Sequence, residues 1–209
     1  MKDIKEFFEE IDKHLMNDEK PSIYFNQLLE NEELFRKYPF SFISDLEKVP
    51  QSPVHHPEGS VWNHTMLVVD NAARRKEDSK NPKVLMWSAL LHDIGKTSTT
   101  KVRKEKITSY DHDKVGKELA VEFLSKFVSD KKFIEDVSNM VRWHMQTLFV
   151  VKELPFSDIK AMVSEVSVDE IALLSLCDRL GRGNMNNDKI NEERENIKAF
   201  LLKCQEHLV

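Results

Sequence analysis

The sequence predicts an all-α fold, a helical bundle carrying one short β-hairpin near residues 101–110. Three observations lead there. Glycine is scarce, at 5 of 209 residues. Apolar residues recur at i, i+3 and i+4 along most of the chain. The polar breaks between these runs carry helix-start chemistry, at Ser60, Asn81-Pro82 and Ser167. With 40% hydrophobic and 32% charged residues, the composition is globular, too apolar for a disordered chain and too polar for a membrane protein.

The elements follow in order. Ile4, Phe7, Phe8, Ile11 and Leu15 share one face of an amphipathic first helix. Helices at 22–30 and 32–47 come next, the second ended by Pro50 and Pro53. QSPVHHPEGS reads as a loop, with Ser60 capping a helix over 61–78. Asn81-Pro82 opens a helix over 83–93 that Gly95 stops. KVRKEKITSY alternates weakly around a Lys-Glu-Lys tip, which gives the hairpin. Helices over 113–128, 131–147 and 156–165 follow. Ser167 and Glu170 have capping-box spacing and open a helix to about 180, broken by Gly181 and Gly183. A last helix carries Ile190, Ile197, Leu201 and Cys204 on one face.

Several classes of function are set aside. The longest nearly apolar run, Val84 to Leu91, is far short of the ~20 residues of a membrane span. The N-terminus has no continuous apolar stretch, so no signal peptide is expected. Cys177 and Cys204 show no framework spacing and suit a reducing, cytoplasmic setting. A net charge of −5 argues against stable binding of duplex nucleic acid but leaves room for small phosphorylated ligands.

Function is written in ionisable residues on faces that ought to be core. The apolar run VLMWSALL ends in His92-Asp93. Phe133, Val137, Met140, Val141 and His144 stand at i, i+4, i+7, i+8 and i+11, so His144 points inward. Ile171, Leu174 and Asp178 stand at i, i+3 and i+7, and Val61, His64, Val68 and Ala72 repeat the pattern on a fourth helix. Any single buried histidine is usually satisfied by an ordinary partner. An unpaired buried carboxylate costs several kcal/mol. Inward-facing groups on four helices call for a shared partner, and a divalent cation ligated by imidazole and carboxylate supplies one.

The ordered set His64, His92-Asp93 and Asp178 resembles the HD superfamily of metal-dependent phosphohydrolases. The strings HHPEGSVWNHT, ALLHDIGK, ITSYDHDKVG and CDRLGRG are similar to the HD module of some bacterial tRNA nucleotidyltransferases, over roughly 48–184. No Gly-rich nucleotidyltransferase head is seen, so CCA addition is not expected. The resemblance implies an HD-domain bundle over 48–184, a helical extension at 1–47, and a C-terminal helix at 185–209 packed on the same core. It implies His64, His92, Asp93 and Asp178 as ligands of a first metal. His112 and His144 resemble the extra histidines of dinuclear members, with Asp93 bridging. Lys96 takes the position of a basic residue facing phosphate, beside the catalytic Asp93.

The expected cofactor is one or two divalent ions (Fe, Mn, Ni, Co or Zn, with Mg also compatible). The expected reaction is hydrolysis of a phosphate mono- or diester, a nucleotide or 2′,3′-cyclic phosphate, by metal-activated hydroxide. Arg179 and Arg182 are candidates for gripping the phosphate, Arg182 preferred. His56 is a substrate-contact candidate, and Glu58 a partner for a ligating histidine. Trp62, Trp87 and Trp143 read as core. The alternative function is a non-catalytic HD-domain protein that binds a nucleotide or metal and reports it to a partner.

Overall fold

The structure is a computed structural model that describes residues 3–104 and 106–207. Helix α1 (Ile4–Asn17) starts where the Asp3 carboxylate accepts from the Lys5 amide, and it buries Phe7, Phe8, Ile11 and Leu15. Helix α2 (Pro21–Asn31) begins on a proline, whose missing amide costs nothing in the first turn. The single helix expected over 32–47 is not formed. A 3-10 turn at Glu33–Arg36, a short α3 (Ser41–Ser44) and a second 3-10 turn at Asp45–Lys48 replace it. Pro39 explains the break, since its ring removes an amide and clashes with the preceding turn.

Helix α4 (Val61–Ala73) is capped by Ser60, whose hydroxyl accepts from the Asn63 amide, and it is shorter than expected because a 3-10 turn takes over at Lys76–Asp78. Helix α5 (Pro82–Leu91) is capped by Asn81 and is buried without interruption from Val84 to Leu91. Each fully buried Leu on it contributes roughly 1.5–3 kcal/mol. The helix ends two residues before the expected boundary, so His92 and Asp93 lie in the turn that follows.

After a one-turn α6 (Lys96–Thr99), the hairpin forms as expected: β1 (Lys101–Arg103) pairs antiparallel with β2 (Lys106–Thr108), Val102 opposite Ile107. Glu105, in the anticipated Lys-Glu-Lys tip, lies outside the described residues. Helix α7 (His112–Leu124) includes His112, which the sequence left in a loop, and stops short of 128. Helix α8 (Lys131–Trp143) and α9 (Gln146–Val151) divide the helix expected over 131–147, with the break at His144-Met145.

Helix α10 (Ile159–Glu165) starts at an Asp158 cap rather than at 156. Ser167 precedes α11 (Val168–Leu180) but makes no side-chain cap. Glu170 does not close a capping box either, because it accepts from Ser79 Oγ at 2.6 Å and the Lys80 amide at 2.8 Å. Helix α12 (Asn187–Gln205) buries Phe200 and Cys204, while Ile190, Ile197 and Leu201 are only half-buried.

Helix α5 is the axis of the bundle. It packs against α4, α8, α11 and α1, while α7 lies along α8 and α12 along α11 and α9. Phe8 of α1 stacks on Trp87 of α5, ring centroids 4.9 Å apart. The three tryptophans are buried in this core, and each indole N–H has a partner: Asn26 for Trp62, Asp12 for Trp87 and Glu165 for Trp143. Among the described residues, no helix is long and apolar enough to cross a membrane. What the packing positions is the C-terminal end of α5, enclosed by four other helices.

Candidate metal centre

Asp93 sits in the turn that leaves α5, and its neighbours arrive from separate elements. Gly95 allows the closest of these approaches. A Cβ there would stand 2.0 Å from the His112 carbonyl oxygen, so only glycine lets the start of α7 lie against the turn. Gly95 therefore acts through close approach to α7 and not as the terminator of α5 that its spacing suggested. With α7 so placed, His112 Nε2 lies 3.4 Å from Asp93 Oδ1.

Helix α8 ends at the same point, and His144 Nε2 lies 3.8 Å from Asp93 Oδ1. On the other carboxylate oxygen, His92 Nε2 is 3.3 Å and His64 Nε2 4.0 Å from Asp93 Oδ2. Asp178 of α11 reaches the cluster through His64, whose Nε2 is 2.9 Å from Asp178 Oδ1. The structure thus gathers His64, His92, Asp93, Asp178, His112 and His144 around one buried carboxylate.

All four imidazoles are oriented alike. Nδ1 of His92 bonds the Ala89 carbonyl at 2.9 Å, that of His112 the Ser109 carbonyl at 2.7 Å, and that of His144 the Val141 carbonyl at 2.6 Å. Nδ1 of His64 has the Gly181 carbonyl at 3.3 Å and Glu58 Oε1 at 3.1 Å. A carbonyl accepts from N–H, so these contacts put the proton on Nδ1 of His92, His112 and His144 and turn Nε2 inward as a lone-pair donor, whereas His64, with carboxylates at both ring nitrogens, holds both protons until a cation displaces the one on Nε2. Two consequences follow. His112 Nε2 and His144 Nε2 face each other at 3.2 Å, an arrangement that needs a proton or a cation between them. His92 Nε2 and Asp93 Oδ2 are fully buried with no partner in hydrogen-bonding geometry, although the Lys96 ammonium lies 2.7 Å from Asp93 Oδ2.

Electrostatics divide the cluster. Burial alone would depress the His64 pKa, but the carboxylates of Asp178 and Glu58 outweigh it and raise it to about 9. Burial lowers His144 to about 4, aided by its neighbours His112 and His92, and lowers His112 as well. Burial opposes ionisation of Asp93 and Asp178. Lys96 and His92 nevertheless hold Asp93 well below the usual carboxylate range, and His64 does the same for Asp178.

The donor set fits a first-row divalent cation. Three triads offer ligand atoms within 4.8 Å of one another: His64-His92-Asp93 and Asp93-His112-His144, which share Asp93, and His56-Glu58-His64 beside them. The unpartnered His92 nitrogen and the facing lone pairs of His112 and His144 are the polar deficits that an ion would relieve.

Beside this cluster opens a cavity of about 80 Å³, lined by His56, Lys96, Arg179 and Arg182 together with His64, Asp93, His112, His144 and Asp178. Arg182 has a buried Nε with no partner. Arg179, the other phosphate candidate, is already engaged, its Nε 3.0 Å from Glu193 Oε2 of α12. Lys96 also donates to Gln51 Oε1 at 2.9 Å. His56 Nδ1 pairs with Glu58 Oε1 at 2.8 Å, whereas His55 is exposed. The sequence reading missed Gln51, which lies in a loop with no periodicity. It also missed Ser175, whose hydroxyl meets Thr147 and the His144 carbonyl; its i−3 spacing from Asp178 on α11 was the available signal.

The HD domain family profile matches residues 61–182. A Multifunctional CCA protein of Actinobacillus pleuropneumoniae is 41% identical over 83 residues, 40% of this chain and 20% of that protein. Another, from Methylococcus capsulatus, is 28% identical over 186 residues, 88% of this chain and 36% of that protein. A third, from Alkalilimnicola ehrlichii, is 29% identical over 140 residues, 66% of this chain and 32% of that protein. The chain spans about a third or less of the length of these relatives.

Proposed function

We propose that this chain, which belongs to the HD domain family, is a metal-dependent phosphohydrolase acting on a small phosphate mono- or diester, a nucleotide or a 2′,3′-cyclic phosphate. One observation carries the reading: two triads of ligand-type atoms share a single buried carboxylate, Asp93, next to a buried His92 Nε2 without a hydrogen-bond partner. His64, His92, Asp93 and Asp178 would hold a first ion, and Asp93, His112 and His144 a second. When bound, divalent ions supply Lewis acidity toward phosphoryl oxygens and lower the pKa of water.

The chain's own groups do the rest. Asp93 Oδ2 accepts the proton of the attacking water. Lys96, beside that oxygen, places its positive charge where charge develops on the phosphoryl group. Arg182, with a free buried Nε on the cavity wall, grips a non-reacting phosphate oxygen. His56 lines the same wall and would touch substrate next to Arg182. The Nδ1–carbonyl bonds keep the ring nitrogens aimed inward, so the site needs little rearrangement on binding.

The test is metal analysis of the purified chain, followed by turnover of bis(p-nitrophenyl) phosphate, 2′,3′-cyclic nucleotides and a nucleotide panel with Mn²⁺, Fe²⁺, Co²⁺, Ni²⁺, Zn²⁺ and Mg²⁺. Metal binding with turnover of at least one phosphoester is expected. Tight metal binding without turnover of any of them would replace the enzyme with the metal- or nucleotide-reporting alternative.

A further inference from the structure

Glu58 lies outside the cluster of proposed ligands, in the loop before α4, yet its side chain is only 5% exposed. A carboxylate so enclosed must be satisfied by specific partners. Three are present, from three segments. Oε1 is 3.1 Å from His64 Nδ1 and 2.8 Å from His56 Nδ1. Oε2 accepts from the Gly183 amide at 2.9 Å. Gly183 follows Arg182 directly, and it permits the approach: a Cβ there would stand 3.2 Å from the Glu58 amide nitrogen and 3.4 Å from Pro57 Cγ.

Resting on the reading of His64 as a metal ligand, we infer that Glu58 is a positioning residue that couples the ion site to the anion grip. One oxygen fixes the His64 tautomer so that Nε2 faces the ion. The other pins the loop after α11 so that Arg182 stays on the cavity wall. Through His56 the same oxygen orients a second imidazole lining that cavity. The geometry gives this enclosed acid a role other than direct ligation: both of its oxygens are occupied by His56, His64 and the Gly183 amide, so it is the shared support of residues from the pre-α4 loop, α4 and the α11–α12 loop.

The experiment uses the full chain, with Mn²⁺ affinity read by calorimetry and steady-state hydrolysis of bis(p-nitrophenyl) phosphate at saturating Mn²⁺. Glu58→Ala is expected to weaken Mn²⁺ binding ~10–100-fold, the usual effect of losing a partner of a ligating histidine. It should also raise KM. Glu58→Gln separates the two roles. Its carbonyl can still accept from both imidazoles, but its amide then opposes the Gly183 N–H. Near-parental Mn²⁺ affinity with a raised KM is therefore expected.

The control is Asn63→Ala, which removes another hold on the same loop, the bond from Asn63 Nδ2 to the Glu58 carbonyl at 2.8 Å. It should leave both parameters near parental. The coupling is overturned if Glu58→Ala keeps parental Mn²⁺ affinity, if Glu58→Gln keeps parental KM, or if Asn63→Ala reproduces both losses. If Glu58→Ala does not fold, the Gln variant decides alone. A parent chain that neither binds Mn²⁺ nor hydrolyses the ester overturns the proposed function and the coupling together, whereas a parent that does both isolates the coupling.

Discussion

On one side of Asp93, His64 lies 2.9 Å from Asp178 and 3.1 Å from Glu58; on the other, His112 and His144 face each other at 3.2 Å with Asp93 as the carboxylate they share. The imidazole chemistry is the same, but the compensation differs. The carboxylate-rich side holds its histidine protonated, with a pKa of about 9, while burial holds His144 neutral at about 4. The first side balances its charges before any cation arrives, by keeping a proton that a cation must displace. The second side presents ready lone pairs but little negative charge to attract an ion. The difference teaches that a pocket of similar ligands is not a pair of equivalent sites. The first would be the stronger by charge, and the second would depend on the first through Asp93.

Substitutions can break or sharpen that contrast. The largest effect belongs to Asp93→Ala, which removes what the two sides have in common. Turnover should fall on the order of 10³-fold or more, and metal retention should be lost on both sides, measured by elemental analysis and steady-state kinetics. An active Asp93→Ala variant would dissolve the comparison.

Gly95→Ala comes next. Its Cβ would meet the His112 carbonyl at 2.0 Å, so the start of α7 must move away. A stability loss of about 3 kcal/mol is expected in urea titration, with the second ion lost before the first. A parental stability would mean that α7 is not held by this contact.

His144→Ala tests the asymmetry more gently. One of two bound ions should leave while most of the other stays, so stoichiometry falls without reaching zero. Equal stoichiometry in variant and parent would leave the His112–His144 side without an ion of its own.

The smallest effects come from the cavity wall. Arg182→Ala should raise KM roughly tenfold, the scale of one hydrogen bond to a charged group. Arg179→Ala, which removes the bond from Nε to Glu193, should raise KM less than Arg182→Ala does and cost about 1 kcal/mol of stability through looser α11–α12 packing. A reversal of the two would exchange their roles.

Much of this architecture was legible before any coordinates, for identifiable reasons. The helical periodicity that put Val61, His64 and Val68 on one face, and Ile171, Leu174 and Asp178 on another, reports burial directly, because a helix shows the same face every three to four residues. Capping chemistry located the starts of α4 and α5 for the same local reason. The 32–47 stretch misled because its apolar residues, Phe35 and Phe40 among them, reach the core from short turns interrupted by Pro39, and apolar spacing does not distinguish the two arrangements. Glu170 misled similarly. Its spacing matched a capping box, but Ser79 and the Lys80 amide, 90 residues away in sequence, took the carboxylate instead.

By itself, then, the sequence determined what is local: which segments coil, which faces turn inward, and which ionisable residues travel with those faces. Only the tertiary structure decided what those residues meet. It seated His112 against Asp93 through the absent side chain of Gly95, tied Arg179 Nε to Glu193, left Arg182 facing the cavity, and closed Glu58 over His64 and Gly183. The physical reason is range. Helix propensity and capping act within a few residues, whereas the charge and hydrogen-bond balance of a buried site is set by groups that only chain folding brings within a few ångströms of each other.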